Sequence, residues 1–179
     1  MTTMNSEGPV PSGAARYGNV AIVLHWVIAL AIVVQLILPS RMEDRTPEAF
    51  AVIQLHKSIG ITILLLSLIR LGWRLTHRPP PEPPLARWEL TLSGAVHVGF
   101  YVIMIAMPLT GWLMVSASKL GLPTLLYGVV PWPHIPGIQE LATPQRKLAR
   151  EIGHAGHHYL GLAAWGLLGL HVAGALKHQ

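Results

Sequence analysis

Cysteine is absent from the 179 residues. That excludes disulfides, zinc–thiolate sites, iron–sulfur clusters and covalent c-type haem attachment. Charge is scarce as well, at 12% of residues, about half the share of an ordinary soluble domain. Thirteen Lys and Arg against eight Asp and Glu leave a net +5. No basic tract resembles a nucleic-acid arm, so the balance fits anionic lipid headgroups or an anionic substrate, and no nucleic-acid partner is expected. With 51% hydrophobic residues and a mean hydropathy of +0.46, the chain reads as a membrane protein.

Four apolar runs carry that reading. Val20 to Leu38 has no charge in 19 residues, enough to cross ~30 Å of hydrocarbon as a helix. Ala49 to Leu75 contains Lys57 and Arg70, two long cations expected to snorkel to opposite interfaces. Leu90 to Ser118 is charge-free over 29 residues, and Pro108 inside it should kink the helix by removing a hydrogen bond. Ile152 to Leu176 is uncharged over 25 residues and rich in Gly and Ala, which lets helices or a flat ligand approach closely. The predicted fold class is all-α, an integral membrane four-helix antiparallel bundle with spans near 20–38, 49–75, 90–118 and 152–176.

The connections fit that plan. Residues 1–16 are expected to be a disordered N-terminal segment and 17–179 a single four-helix domain. No small-residue cleavage site follows the polar start, so the first apolar run is expected to be retained. "PSRMEDRTPE" is a polar turn, and the prolines of "THRPPPEPPLARWE" impose an extended linker. The third connection, with Tyr127, Trp132 and several prolines, is expected to lie at the membrane surface. Lys and Arg divide almost evenly between the two sides. The Arg-rich linker between the second and third helices favours an N-terminus inside.

Ten histidines are then the only good nitrogen ligands. On the fourth helix, His157 and His171 are 14 residues apart, which leaves them about 40° from the same face and about 21 Å apart in depth. His158 and His154 lie on other faces. In an antiparallel bundle His25 of the first helix comes level with His171, and His56 of the second with His157. Two opposed imidazole pairs, one near each membrane surface, suit two haem b groups with apolar walls around each porphyrin. Gly60 follows His56 by four residues and Gly161 follows His157 by four, one helical turn along, where a missing side chain makes room for the macrocycle. One histidine in a membrane helix is as readily an interhelical hydrogen-bonding residue. Four, paired in depth on three helices, point to iron. His97 has no such partner and reads as a polar neighbour, to a haem propionate for example. His154 and His158 read as surface residues, and His77 and His134 as solvated.

The stretches "LHWVIA", "HKSIGITILLLSLIRLGWRL", "HVGFYVIMIAMPLTGWLM" and "EIGHAGHHYLGLAAWGLLGLHVAGALKH" resemble the bacterial cytochrome b561 family. That family includes the b-type cytochrome subunits of nickel–iron hydrogenases. The resemblance runs from about Tyr17 to the end. It implies a multi-pass protein of the bacterial inner membrane with its N-terminus in the cytoplasm, two b haems, and ligands at His25, His56, His157 and His171. Relatives often carry an acidic residue where this chain has His158.

Function follows from the implied cofactors. Two haems at opposite faces imply electron transfer to or from the quinone pool, with ubiquinone as substrate. Some members of the small four-helix group resemble superoxide oxidases; if the chain is an enzyme, that resemblance implies a superoxide:quinone oxidoreductase. Lys57, Arg146, Lys147 and Arg150 would then cluster near the His56/His157 haem and steer a small anion. The same cations serve equally to bind headgroups or propionates. His178, seven residues after His171, is placed to meet a quinone headgroup or the interface. Two alternatives stand beside this reading: an electron-relay subunit for a dehydrogenase or a periplasmic redox protein, and a haem-free histidine-lined metal transporter. The last needs acidic co-ligands that the helices almost lack.

Overall fold

The computed structural model describes residues 18–42, 46–77 and 85–177. The expected N-terminal segment 1–16, most of the proline linker and His178 lie outside the described residues. Four long helices carry the fold: α1 (Asn19–Ile37), α2 (Pro47–Thr76), α3 (Arg87–Ser116) and α4 (Thr143–Lys177). Each is long and apolar enough to cross a membrane, and together they make the all-α membrane architecture that the uncharged runs predict.

Local chemistry sets the ends. A 3-10 turn, Leu38–Arg41, closes α1 with Pro39 in its first turn. Helix α2 opens on Thr46, whose hydroxyl accepts from the Ala49 N–H at 3.2 Å, with Pro47 in the first turn, where its missing N–H costs nothing. At the head of α3 the Glu89 carboxylate accepts from the Ala86 N–H at 3.1 Å. At the opposite end of the fold from the 3-10 turn, Lys177 donates to Glu89 at 2.6 Å and lies over the Trp88 ring. That contact ties the last turn of α4 to the first of α3.

Helix α4 starts at Thr143, nine residues before its uncharged run. Arg146, Lys147, Arg150 and Glu151 sit on this forward extension, clear of the apolar layer. The third connection contains a small β-hairpin, β1 (Thr124–Leu126) and β2 (Val130–Trp132), paired antiparallel. Its turn takes Tyr127 and Gly128 into positive φ, 52° and 76°. The hairpin is strapped to the bundle. On α2, Gln54 and Lys57 donate to the Pro123 carbonyl, Ser58 Oγ accepts from the Tyr127 N–H at 2.9 Å, and Thr62 meets the Tyr127 hydroxyl at 2.8 Å. On α3, Trp112 donates to Pro133 O at 2.8 Å and Ser116 accepts from the Ile135 N–H at 2.9 Å.

Helix α3 packs closely along α4, and α2 packs against both α1 and α3. Neither α1 nor α2 runs close along α4. Apolar side chains such as Trp26, Leu30, Ile69, Val98 and Leu162 face outward, as a chain solvated by lipid requires. The buried centre is a layer of Ile28, Ile63 and Met104, with Ala31, Ile32, Phe100 and Tyr101 against it.

Candidate functional site

The wide seam between α4 and the α1–α2 pair is bridged by histidines. The rings of His25 and His171 have centroids 6.1 Å apart, and those of His56 and His157 5.9 Å apart. Two imidazoles flanking one metal at ~2 Å per metal–nitrogen bond need ring centres about 6 Å apart. The apolar layer lies between the pairs: Ile63 is seven residues from His56 on one side and seven from Arg70 on the other, about 10 Å of helix axis each way.

A cavity of about 400 Å³ surrounds the second pair. Its walls are mainly apolar, and His56, His157, Gly60, Gly111, Met104 and Met107 contribute to them. On its far side Nδ1 of His157 meets the Met107 carbonyl at 3.1 Å and Thr110 Oγ1 at 3.4 Å. A carbonyl only accepts, so the Nδ1 proton is held there and Nε2 keeps its lone pair. That is the tautomer a metal needs. A Cβ at Gly111 would stand 3.2 Å from the His157 ring, so this glycine makes the room in which the ring sits. Nδ1 of His56 is buried with no partner, and the cavity wall holds few polar atoms to serve it. A bare metal ion asks for three or four protein donors, and no such cluster of His, Cys, Asp and Glu occurs among the described residues. A porphyrin brings four nitrogens and leaves two axial positions, so paired imidazoles in an apolar cavity fit haem b.

At the first pair, Arg70 turns inward. Its Nη1 lies 2.9 Å from His25 Nδ1, whereas snorkelling would have carried it to the interface. A guanidinium only donates, so His25 Nδ1 accepts here. Coordination through Nε2 would move the proton to Nδ1 and release the guanidinium for an anionic group. His171 also meets Phe100 and His97, with ring centres at 5.4 and 6.0 Å. His97 thus stands beside the first pair, where its spacing alone gave it no partner.

The remaining candidates separate. Gly60 lines the cavity, and a Cβ there would come 3.2 Å from Gln35 Nε2. Gly161 is not among the lining residues and faces Met107 at an ordinary 3.5 Å. Of the four cations expected to cluster, Lys57 alone lines the cavity. Arg146 donates to Gln139 O, Lys147 pairs with Glu151 across one turn at 3.7 Å, and Arg150 is exposed. His154 and His158 are exposed, His158 against Tyr159. His77 is exposed and stacks on Trp73 at 3.7 Å. His134, expected to be solvated, has its Nδ1 buried without a partner. Trp132, expected as a surface anchor, lines the cavity and packs on Trp112 at 5.7 Å. Gln35, Met107, Thr110 and Gly111 were missed by sequence reasoning. Gln35 left a signal, as the one carboxamide in the charge-free run of the first helix.

The comparisons with known proteins agree with this geometry. The family model described as prokaryotic cytochrome b561 matches residues 16–179. Cytochrome b561 homolog 2 of Escherichia coli (strain K12) is 28% identical over 174 residues, covering 92% of this chain and 85% of that protein. Four membrane-crossing helices, imidazoles facing each other across an apolar seam, and a match over nearly the whole length lead to one assignment: the chain belongs to the prokaryotic cytochrome b561 family, membrane b-type cytochromes of electron transfer.

Proposed function

We propose that the chain binds two b haems, one between His25 and His171 and one between His56 and His157, and exchanges electrons with the quinone pool. In its sharpest form it oxidises superoxide at the periplasmic side and reduces ubiquinone. Two superoxide anions, one quinone and two protons give two dioxygen molecules and one quinol. When bound, a bis-imidazole haem supplies a reversible one-electron carrier. The observation that carries the reading is the pair of 5.9 and 6.1 Å imidazole contacts, set at opposite ends of an apolar bundle.

The chain's own residues do the rest. Met107 O and Thr110 hold His157 in the tautomer with Nε2 free. Ile28, Ile63 and Met104 keep water out between the two ends. Lys57, at the cavity wall, supplies positive charge toward an approaching anion, with Arg146, Lys147 and Arg150 farther out on the start of α4. Arg70, once released from His25, is placed to meet a haem carboxylate, and His97 is its polar neighbour at the same end. His178 is the candidate contact for a quinone headgroup. The Arg-rich side of the bundle, with Arg74 and Arg87, faces the cytoplasm of a bacterial inner membrane.

Purified protein should show a bis-histidine b-type absorption spectrum with two haems per chain. In stopped-flow mixing with superoxide and a soluble ubiquinone, decay should exceed the spontaneous rate and slow as salt rises, because steering of an anion is screened over about 10 Å at 0.1 M. Two haems without any acceleration would remove the superoxide reaction and leave electron relay to a protein partner. A colourless protein would remove the whole reading.

A further inference from the structure

Gln35 lies near the end of α1, with its carboxamide Nε2 bonded to the His56 main-chain carbonyl at 3.0 Å. The other atom of that carboxamide, Oε1, is buried with no partner, and so is Nδ1 of the His56 ring. Two unmatched polar atoms of complementary kind, an acceptor and a ring nitrogen, therefore belong to residues already joined by a hydrogen bond. Gln35 and His56 line the same cavity, among Ile32, Leu36, Ile53 and Ile61. Those four neighbours are aliphatic and offer neither atom a side-chain partner. Gly60 keeps the space: a Cβ there would crowd Gln35 Nε2 at 3.2 Å.

An imidazole that ligates through Nε2 carries its proton on Nδ1, and that N–H requires an acceptor to fix the ring. His157 already has one in Met107 O. We propose that Gln35 is the positioning residue for His56: a turn of its carboxamide brings Oε1, unbonded in this structure, to accept the Nδ1–H of the His56 ring and so presents Nε2 to the iron. The proposal rests on the reading that His56 is a haem ligand. A shared Nδ1 proton makes the ligand more electron-rich and favours ferric iron, so this bond tunes one haem and leaves the other alone.

The test is redox titration and low-temperature electron paramagnetic resonance of the purified two-haem protein. In Gln35→Met, which keeps the bulk and removes the acceptor, both haems should stay. The midpoint potential of one should rise while the other is unmoved, and the low-spin ferric signal of that same haem should shift. In Gln35→Glu, a stronger acceptor, the same haem should fall in potential and its ferric signal should shift in the opposite sense. A carboxylate's charge alone lowers the potential, so the ferric signal decides. Signals unmoved in both variants, or moved in the same sense, would overturn the positioning role. Should Gln35→Met fail to accumulate, the ferric signal of Gln35→Glu settles it by moving or staying. His56→Ala separates the two claims. Both haems retained would remove the ligand assignment, whereas one haem lost beside silent Gln35 variants would remove the positioning role only.

Discussion

Replacing Gly153 by alanine is the sharpest mechanical perturbation of the site. Gly153 is buried where α4 crosses α3, and a methyl there would stand 2.9 Å from Thr110 O, 3.0 Å from Met114 N and 3.2 Å from Met114 Cα. All three are main-chain atoms, so no side chain can turn aside. The nearest falls half an ångström short of the 3.4 Å at which ordinary contact begins, and the helices must part by about that much. His157 lies one turn farther along α4, and its anchors are the same stretch of α3, Met107 O at 3.1 Å and Thr110 Oγ1 at 3.4 Å. Opening the helix pair stretches both. Overpacking of this kind costs about 1–3 kcal/mol. Felt wholly at the cofactor, that is a loosening of roughly 5- to 150-fold. The assay is haem content per chain after dilution into haem-free detergent, together with thermal unfolding. Gly153→Ala should lose one haem selectively and melt earlier. Gly166→Ala, on the same helix with nothing within 4 Å of its Cβ, should match the parent. Equal retention in the two variants would refute the close helix contact as the support of His157.

Two further outcomes are expected. His171→Ala should lose one haem and weaken the bundle, whereas His158→Ala should keep both, read as haem per chain from absorption spectra; the reverse pattern for His158 and His157 would place the wrong ring at the cavity. Ser58→Ala removes the acceptor for the Tyr127 N–H in a fully buried position, so stability should fall by about 1–3 kcal/mol and amides of residues 124–132 should exchange hydrogen faster, with the haem spectrum unchanged.

Much of the fold was legible because lipid forbids charge and unpaired backbone, so uncharged runs of about twenty residues announce helices. The pairing of His25 with His171 and of His56 with His157 came from one spacing and the alternation of helix direction. The start of α4 was not legible from the same signal. Arg146, Lys147 and Arg150 mark where the apolar layer ends, and a helix continues past that edge at no cost. The hairpin escaped notice because its strands have three residues each and its register is held by Gln54, Ser58 and Thr62, some seventy positions away in the chain. Arg70 was read by its distance to the nearest interface. What decided its direction was an acceptor, His25 Nδ1, 45 residues earlier. Gln35 illustrates the remaining gap: its lone position in an apolar run flags it, but its partner is a main-chain atom, which no residue pattern advertises.

Both ring pairs draw one member from α4, which follows the other three long helices in the chain. Neither ring pair can therefore form before α4 has emerged from the ribosome, however early α1 and α2 reach the bilayer. A polypeptide halted before that fourth helix would wait in the membrane with His25 and His56 each lacking the ring that faces it.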